Sequence, residues 1–167
     1  MQADLRYIEE EDLELLLKWR NHPAVKRYMY SQHDISIDEH KRWFLKLGED
    51  DSQQAFIFSI NGQPEGYVNF KKIHCGPIAD WGFYLNPDAP KGTGRLLGRA
   101  ALDYAFYKMN LHKVCGQALG YNEKSINFHL RMGFKHEGLL RDQYFDGFRY
   151  HNVECFGLLA DEWLGSK

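Results

Sequence analysis

Residues 5–8, Leu-Arg-Tyr-Ile, alternate apolar and polar positions with the two-residue period of a half-buried strand. From Glu11 onward the period lengthens, and Leu13, Leu16, Leu17 and Arg20 recur at the spacing of one helix face. Ser36-Ile37-Asp38-Glu39 has the form of a capping box, a serine that accepts from a backbone amide with a glutamate three residues later. It predicts a helix through Leu47 that aligns His40, Trp43 and Leu47. Residues 55–60 and 65–73 read as strands joined by Asn61-Gly62, a dipeptide that tolerates the positive φ angles of a tight turn. A third strand is predicted over 78–85, after which Asn86-Pro87-Asp88-Ala89-Pro90 interrupts regular structure. The helix that follows would bury Leu97, Ala101, Tyr104, Ala105 and the stem of Lys108. Residues 113–119 make another strand, and Asn122 caps a helix that runs to about Met132 and stops at Gly133. Phe134 returns to the sheet, and residues 139–144 and 149–159 form a final hairpin around Asp146-Gly147.

Helices early, an antiparallel meander in the middle, then strand-helix-strand and a closing hairpin predict an α/β fold with a mixed, mostly antiparallel sheet. No linker, repeat or charge block divides the chain, so a single domain over 1–167 is expected. With 44% hydrophobic residues that length buries a core without disulfides or metal. The 21 basic and 23 acidic residues are interspersed, which leaves no basic stripe for nucleic acid. Cys75, Cys115 and Cys155 are odd in number and widely spaced, in apolar surroundings, and read as buried reduced thiols of a cytoplasmic protein rather than a disulfide framework or zinc site. The first 20 residues are acidic and lack the apolar core of a signal peptide, and no stretch approaches the roughly 20 apolar residues of a membrane span. Nucleic acid, membrane and metal are therefore not expected as partners, and the oligomeric state stays open, a homodimer included.

Lys91-Gly92-Thr93-Gly94-Arg95 opens a helix directly after a strand and a proline-rich break. Glycines admit a close anion, the first helical turn has unpaired amides, and the helix dipole adds about half a positive charge. A Walker loop would need Gly-Lys-Ser/Thr, which is absent, and a dinucleotide fingerprint would need its third glycine one residue earlier, after the first strand. About 30 residues on, after the next strand, comes Asn122-Glu123-Lys124-Ser125-Ile126-Asn127-Phe128-His129-Leu130-Arg131-Met132-Gly133-Phe134.

The two segments together resemble the acetyl-CoA signature of the GNAT superfamily of N-acetyltransferases, in which a (Arg/Gln)-x-x-Gly-x-Gly/Ala loop precedes an Asn-x-x-Ala/Ser-x-x-x-Tyr-x-x-x-Gly-Phe segment. Ala89 stands where the loop usually begins with Arg or Gln, and His129 stands at the tyrosine position. Glu137-Gly138-Leu139-Leu140-Arg141, Asp146-Gly147 and Glu162-Trp163 are similar to the branch that acetylates ribosomal-protein N-termini. Trp19-Arg20-Asn21, Val25-Lys26-Arg27-Tyr28-Met29, Ile37 and His40-Lys41-Arg42-Trp43-Phe44 resemble a narrower group, the UDP-4-amino-4,6-dideoxy-N-acetyl-β-L-altrosamine N-acetyltransferases of pseudaminic acid synthesis, whose sugar is placed on flagellin.

The resemblance implies the GNAT fold, with a splayed strand pair that binds acetyl-CoA, and direct attack of an amine on the thioester in a ternary complex. Such a reaction needs a neutral amine, a donor to the developing oxyanion and a proton for the thiolate. The expected acetyl-CoA residues are Phe83, Leu85, Lys91, Gly92, Thr93, Gly94, Arg95, Asn122, Ser125 and Phe128, with the Leu85 amide as oxyanion donor. His129 is the expected proton donor, with a packed helix histidine as the other reading and Tyr121 and Tyr144 in reserve. Asn69 would orient the amine or a water, or else is an ordinary strand asparagine. Arg20 and His40 are expected near a diphosphate, Trp43 and Tyr84 as a flat wall or as core, and Lys71 and Lys72 as phosphate contacts or solvated charges. The rival functions are a ribosomal N-terminal acetyltransferase and an acetyl-CoA-binding module without turnover.

Overall fold

The computed structural model describes residues 1–73 and 75–165. Its strands are β1 (Ala3–Tyr7), β2 (Gln53–Ile60), β3 (Gln63–Ile73), β4 (Ile78–Leu85), β5 (Lys113–Leu119), β6 (Lys135–Phe145) and β7 (Tyr150–Leu159). The helices are α1 (Leu13–Asn21), α2 (Pro23–Lys26), α3 (Ile37–Glu49), α4 (Thr93–Asp103), α5 (Glu123–Arg131) and α6 (Ala160–Leu164). The sheet order is β1-β2-β3-β4-β5-β7-β6. β1–β2, β2–β3, β5–β7 and β6–β7 pair antiparallel, and β4–β5 is parallel, which is the mixed sheet the sequence predicts. The β4–β5 ladder comprises Ile78↔Lys113, Ala79↔Val114 and Asp80↔Cys115, and both strands continue beyond it. The chain divides into two compact units, Met1–Lys72 with Gly82–Ala101, and Ile73–Trp81 with Leu102 onward.

In the first unit β2 is buried on both faces, Ala55 and Ile57 on one and Phe56 and Phe58 on the other, so its sequence is a continuous apolar run. Burying side chains of this size stabilises by about 1.5–3 kcal/mol each. Leu16 and Trp19 of α1 pack on Ala55, Ile57 and Tyr67, with Trp43, Leu47 and Tyr84 at the margin. Ser36 caps α3 as predicted, its Oγ accepting from the Glu39 amide at 3.2 Å, but the Glu39 carboxylate turns to His33 at 3.1 Å. α2 was not foreseen. It is only four residues long, set by Pro23 at its first turn and by His22, which accepts from the Ala24 amide. Asn61 and Gly62 carry positive φ, as a tight turn requires.

In the second unit, the continuation of α4 becomes a π-helical turn over Tyr104–Lys108. The wider turn rotates the stripe, so Leu102, Ala105 and Phe106 are buried and Lys108 is exposed instead of packing its stem. β6 is longer than predicted and lies at the sheet edge. The unforeseen α6 is fixed by Trp163, whose indole N–H donates to Asp103 at 2.9 Å, and by Glu162, which accepts from the Leu159 amide. Cys75 is exposed and Cys115 and Cys155 are half-buried, all three free, which corrects the expectation of three buried thiols.

Candidate active site

Arg20 ends the last turn of α1, and Asn21 beside it ties the following loop down by donating to the Ile35 carbonyl and accepting from the Ile35 amide. The Arg20 Nη2 donates to the Ser31 carbonyl at 2.7 Å, while Nη1 is buried without a partner. His40, in the first turn of α3, is 5% exposed, and its Nε2 is likewise buried without a partner. Its ring stacks on Trp43 at 5.1 Å, Trp43 meets the edge of Tyr67 at 6.0 Å, and Tyr67 stacks on Tyr84 at 4.9 Å. The charge of Arg20 acts on both Tyr84 and His40, which joins the guanidinium to the same cluster.

Burial pushes the His40 imidazole below its ordinary pKa, its hydrogen bond to the Leu13 backbone partly offsets this, and the Arg20 charge lowers it further. A neutral ring with one nitrogen donating to Leu13 has its other nitrogen as a bare acceptor. Nε2 is therefore a lone pair awaiting a donor. This revises the expected place of His40 beside diphosphate oxygens, because two acceptors do not bond. Arg20 remains a donor, and burial lowers its pKa without removing its charge.

On the same sheet face, Asn69 of β3 lies across Gly82 of β4, where an added Cβ would come within 2.8 Å of the Asn69 Oδ1. Glycine at 82 is what lets that amide lie over the strand. The Asn86 amide donates to the Glu65 carbonyl at 2.9 Å, so the alternation of an antiparallel ladder turns the Leu85 and Phe83 amides away from β3. That orientation fits the pantetheine and oxyanion contacts expected of them. Gly92 has φ of 94°, open to glycine at little cost, and the Thr93 hydroxyl and amide both donate to the Pro90 carbonyl, which closes the turn ahead of α4. Lys91 and Arg95 are exposed at this helix start, Gly94 is half-buried, and the dipole favours an anion there. The residues present thus fit an acyl-CoA pyrophosphate.

Asn122, Ser125 and Phe128 belong to the second unit. Asn122 caps α5 by accepting from the Ser125 amide at 3.2 Å, and Phe128 stacks on Trp81 at 6.2 Å. His129 is 1% exposed. Trp81 donates to its Nε2 at 3.1 Å, and its Nδ1 lies 2.8 Å from the Ser125 carbonyl. Indole nitrogen only donates and carbonyl oxygen only accepts, so the ring is the neutral Nδ1–H tautomer with both nitrogens engaged. Burial lowers its pKa, and Phe134 and Phe156 enclose it at 5.0 and 4.9 Å. The geometry is that of the packed helix histidine rather than of an accessible acid.

Lys71 and Lys72 stand elsewhere in the first unit. Lys71 is four residues along β3 from Tyr67, about 13 Å of strand, and its charge acts on Asp50. The structure does not bring them to Arg20 and His40. Sequence reasoning passed over Tyr67 and Gly82. The alternation of Tyr67 with Asn69, and of Gly82 with Tyr84, on facing strands is the signal that would have placed them together.

Among the described residues no helix is long and apolar enough to cross a membrane, and no group of three or more His, Cys, Asp or Glu side chains is placed to hold a metal. The sequence model of the acetyltransferase (GNAT) domain matches residues 3–135. The chain is 28% identical over 127 residues to acetyltransferase PseH of Campylobacter jejuni, covering 76% of this chain and 79% of that protein. It is 36% identical over 178 residues to the putative ribosomal N-acetyltransferase YdaF of Bacillus subtilis, covering 98% of this chain and 94% of that one. The structure of spermidine N-acetyltransferase from Vibrio cholerae with CoA and spermine superposes with a TM-score of 0.91 at 27% identity, over 98% of each chain, and another structure of that enzyme is a dodecamer. The chain belongs to the GNAT family and is an N-acetyltransferase that takes its acetyl group from acetyl-CoA.

Proposed function

We propose that the enzyme, a single domain over 1–167, acetylates the 4-amino group of a UDP-linked 4-amino-4,6-dideoxy sugar, a step of pseudaminic acid synthesis for flagellin glycosylation. The observation that carries this reading is the buried pair of unspent groups, the donor Arg20 Nη1 and the acceptor His40 Nε2, set on the aromatic wall of Trp43, Tyr67 and Tyr84. A donor with an acceptor complements an oxygen-rich, hydroxylated ligand, and the wall complements a deoxysugar methyl or a uracil ring. A polyamine offers only cationic donors and would meet the Arg20 charge. The likeness to PseH supports the sugar, while the likeness to spermidine acetyltransferases and to YdaF supports a polyamine or a ribosomal N-terminus.

In this reading Leu85 and Phe83 amides hold the thioester and pantetheine, Asn69 orients the amine, and residues 91–95 with Asn122, Ser125 and Phe128 hold the CoA. His129 props Trp81 and Phe128 rather than donating a proton. The chain self-associates, as the dodecameric relative does, through the exposed Leu139, Leu140, Phe145, Phe148 and Tyr150 of the edge hairpin. The test is CoA-thiol release from acetyl-CoA with a UDP-4-amino-4,6-dideoxyhexose, spermidine and a basic ribosomal N-terminal peptide as separate acceptors. Release with the sugar alone is expected. Faster release with spermidine or the peptide overturns the sugar assignment and leaves the acetyltransferase standing.

A further inference from the structure

Arg20, His40, Trp43, Tyr67 and Tyr84 all belong to the first compact unit, and each unspent polar group among them is aimed before any ligand arrives. The Nη2 bond to the Ser31 carbonyl at 2.7 Å sets the plane of the Arg20 guanidinium, and with it the direction of the Nη1 protons. Asn21 steadies that loop by accepting from the Ile35 amide at 2.7 Å and donating to the Ile35 carbonyl at 2.8 Å. The His40 ring is set by its bond to the Leu13 backbone and by the Trp43 indole, which lies within 14° of parallel at 5.1 Å. The cluster thus holds a charged donor, a neutral acceptor and a set of flat rings, each fixed in advance.

The parts of a nucleotide sugar answer this arrangement unequally. Diphosphate oxygens only accept, so they would satisfy Arg20 and leave the His40 lone pair facing negative charge. The reacting amine belongs at the Leu85 amide, and ring contacts join His40 to Tyr84, the neighbour of Leu85, only through Trp43 and Tyr67. A sugar hydroxyl gives to one group and takes from the other, but it brings a strongly hydrated oxygen among the rings and leaves them without a flat partner. Uracil carries an N3–H between two carbonyl oxygens, all in the plane of an aromatic ring. Its edge sets a donor beside an acceptor, the complement of His40 and Arg20, and its face complements the rings.

We infer that His40 and Arg20 form a base-reading subsite, in which the uracil N3–H donates to His40 Nε2 and an adjacent carbonyl oxygen accepts from Arg20 Nη1. His40 is then a specificity-determining residue with no part in the chemical step. The bond needs the neutral ring, since a second ring proton makes Nε2 a donor and turns the subsite toward phosphate oxygens. Because this assignment rests on the nucleotide-sugar reading, its test is arranged so that either can fail alone.

Calorimetry on the intact enzyme compares UDP with N3-methyl-UDP, which lacks the donor and keeps both carbonyl oxygens, the ribose and the diphosphate. The wild type is expected to bind UDP and to bind the methylated analogue about tenfold more weakly. His40→Phe keeps a ring against Trp43 and removes the acceptor, so the two ligands should bind within about twofold of each other. His40→Gln, whose side-chain carbonyl accepts, should keep most of the difference. Ring-nitrogen NMR of the histidine-labelled wild type needs no variant: at neutral pH UDP is expected to shift the resonance of a bare His40 Nε2. Equal affinities in the wild type, a penalty that persists undiminished in His40→Phe, or a doubly protonated His40 overturns the assignment. With any of those results, CoA release from acetyl-CoA with the UDP-4-amino sugar would leave the sugar reading standing without the subsite. Absence of both UDP binding and that release would remove the two together.

Discussion

His40 and His129 make an instructive pair. Both sit on helices, both are nearly inaccessible, and burial pushes both imidazoles below their ordinary pKa. They differ in what their ring nitrogens meet. His129 has Trp81 on one side and the Ser125 carbonyl on the other, within a shell of aromatic rings. His40 has a bare Nε2, and the neighbouring Arg20 has a bare Nη1. A buried polar atom without a partner costs about 1–3 kcal/mol, so folding alone gives no reason to place two of them in one cluster. The satisfied histidine belongs to the core, and the unsatisfied one is the group that the proposed sugar site would use.

The sharpest way to break that contrast is to remove the guanidinium. Arg20→Leu is expected to lower kcat/KM for the UDP-4-amino sugar by about 10²-fold, the worth of a charged hydrogen bond of roughly 1.5–3 kcal/mol. CoA affinity should stay near wild type and the loss of stability should not exceed about 1.5 kcal/mol, because Nη1 holds nothing in the folded protein and only the Nη2 bond to the Ser31 carbonyl is removed. Kinetics within twofold of wild type would show that the cluster is not a ligand site.

His129→Phe probes the other member of the pair. It strands the Trp81 indole N–H and the Ser125 carbonyl, so a loss of about 1–3 kcal/mol is expected. For a chain of this length each kcal/mol lowers the melting midpoint by about 2–4 °C in calorimetry. Turnover should remain within about threefold. A hundredfold fall in kcat with an unshifted midpoint would restore His129 to the role of proton donor. Gly116→Ala strikes the same contact from the sheet, since its Cβ would land 2.5 Å from the His129 Nε2 and 2.8 Å from the Trp81 indole nitrogen. It is expected to destabilise comparably.

What the sequence made legible follows the same division. Local signals survived into the structure: the Asn61-Gly62 turn, the Ser36 cap, the Asn122 cap and the bounds of β4 and β5 are all set by residues within a few positions of one another. The glycine turn and the α5 segment identified the acetyl-CoA chemistry for the same reason. Less legible were features that depend on tertiary partners. The π-helical turn rotated a stripe that the regular period placed on Lys108, and α2 and α6 are too short for a period to emerge. Whether a buried histidine is spent or unspent depends on Trp81, 48 residues from His129, and on Leu13 and Arg20, far from His40. Spacing along the chain carries no record of that.

Acid should weaken both histidine sites, in a direction the pKa shifts fix. Each folded-state value lies below the unfolded value of 6.5, so the unfolded chain binds the extra protons as pH falls. The stability that their neutrality contributes is complete above about pH 6.5 and is lost as pH drops toward the folded values. Urea midpoints measured at pH 7.5 and 5.5 should therefore fall for the wild type, and His129→Phe should fall less, by up to about 1.4 kcal/mol per pH unit for one histidine. An identical acid slope in the variant would mean that His129 is already protonated in the fold.

The smallest effect is expected where the sequence suggested charge and the structure supplies no ligand geometry. Lys71 and Lys72 are both exposed, Lys72 with its backbone amide bonded to the Ser52 carbonyl and Lys71 facing the charge of Asp50. A solvated ammonium contributes little to a neighbour and is screened within about 10 Å at moderate salt, less than its run of β3 from Tyr67. Lys71→Ala and Lys72→Ala should therefore leave KM for the UDP-4-amino sugar within about twofold at 0.15 M salt. At low salt a modest rise in KM for both would mark long-range steering of an anion. Such a rise would separate the field around the site, which exposed lysines supply, from the contacts inside it, which the sugar reading assigns to Arg20 and His40.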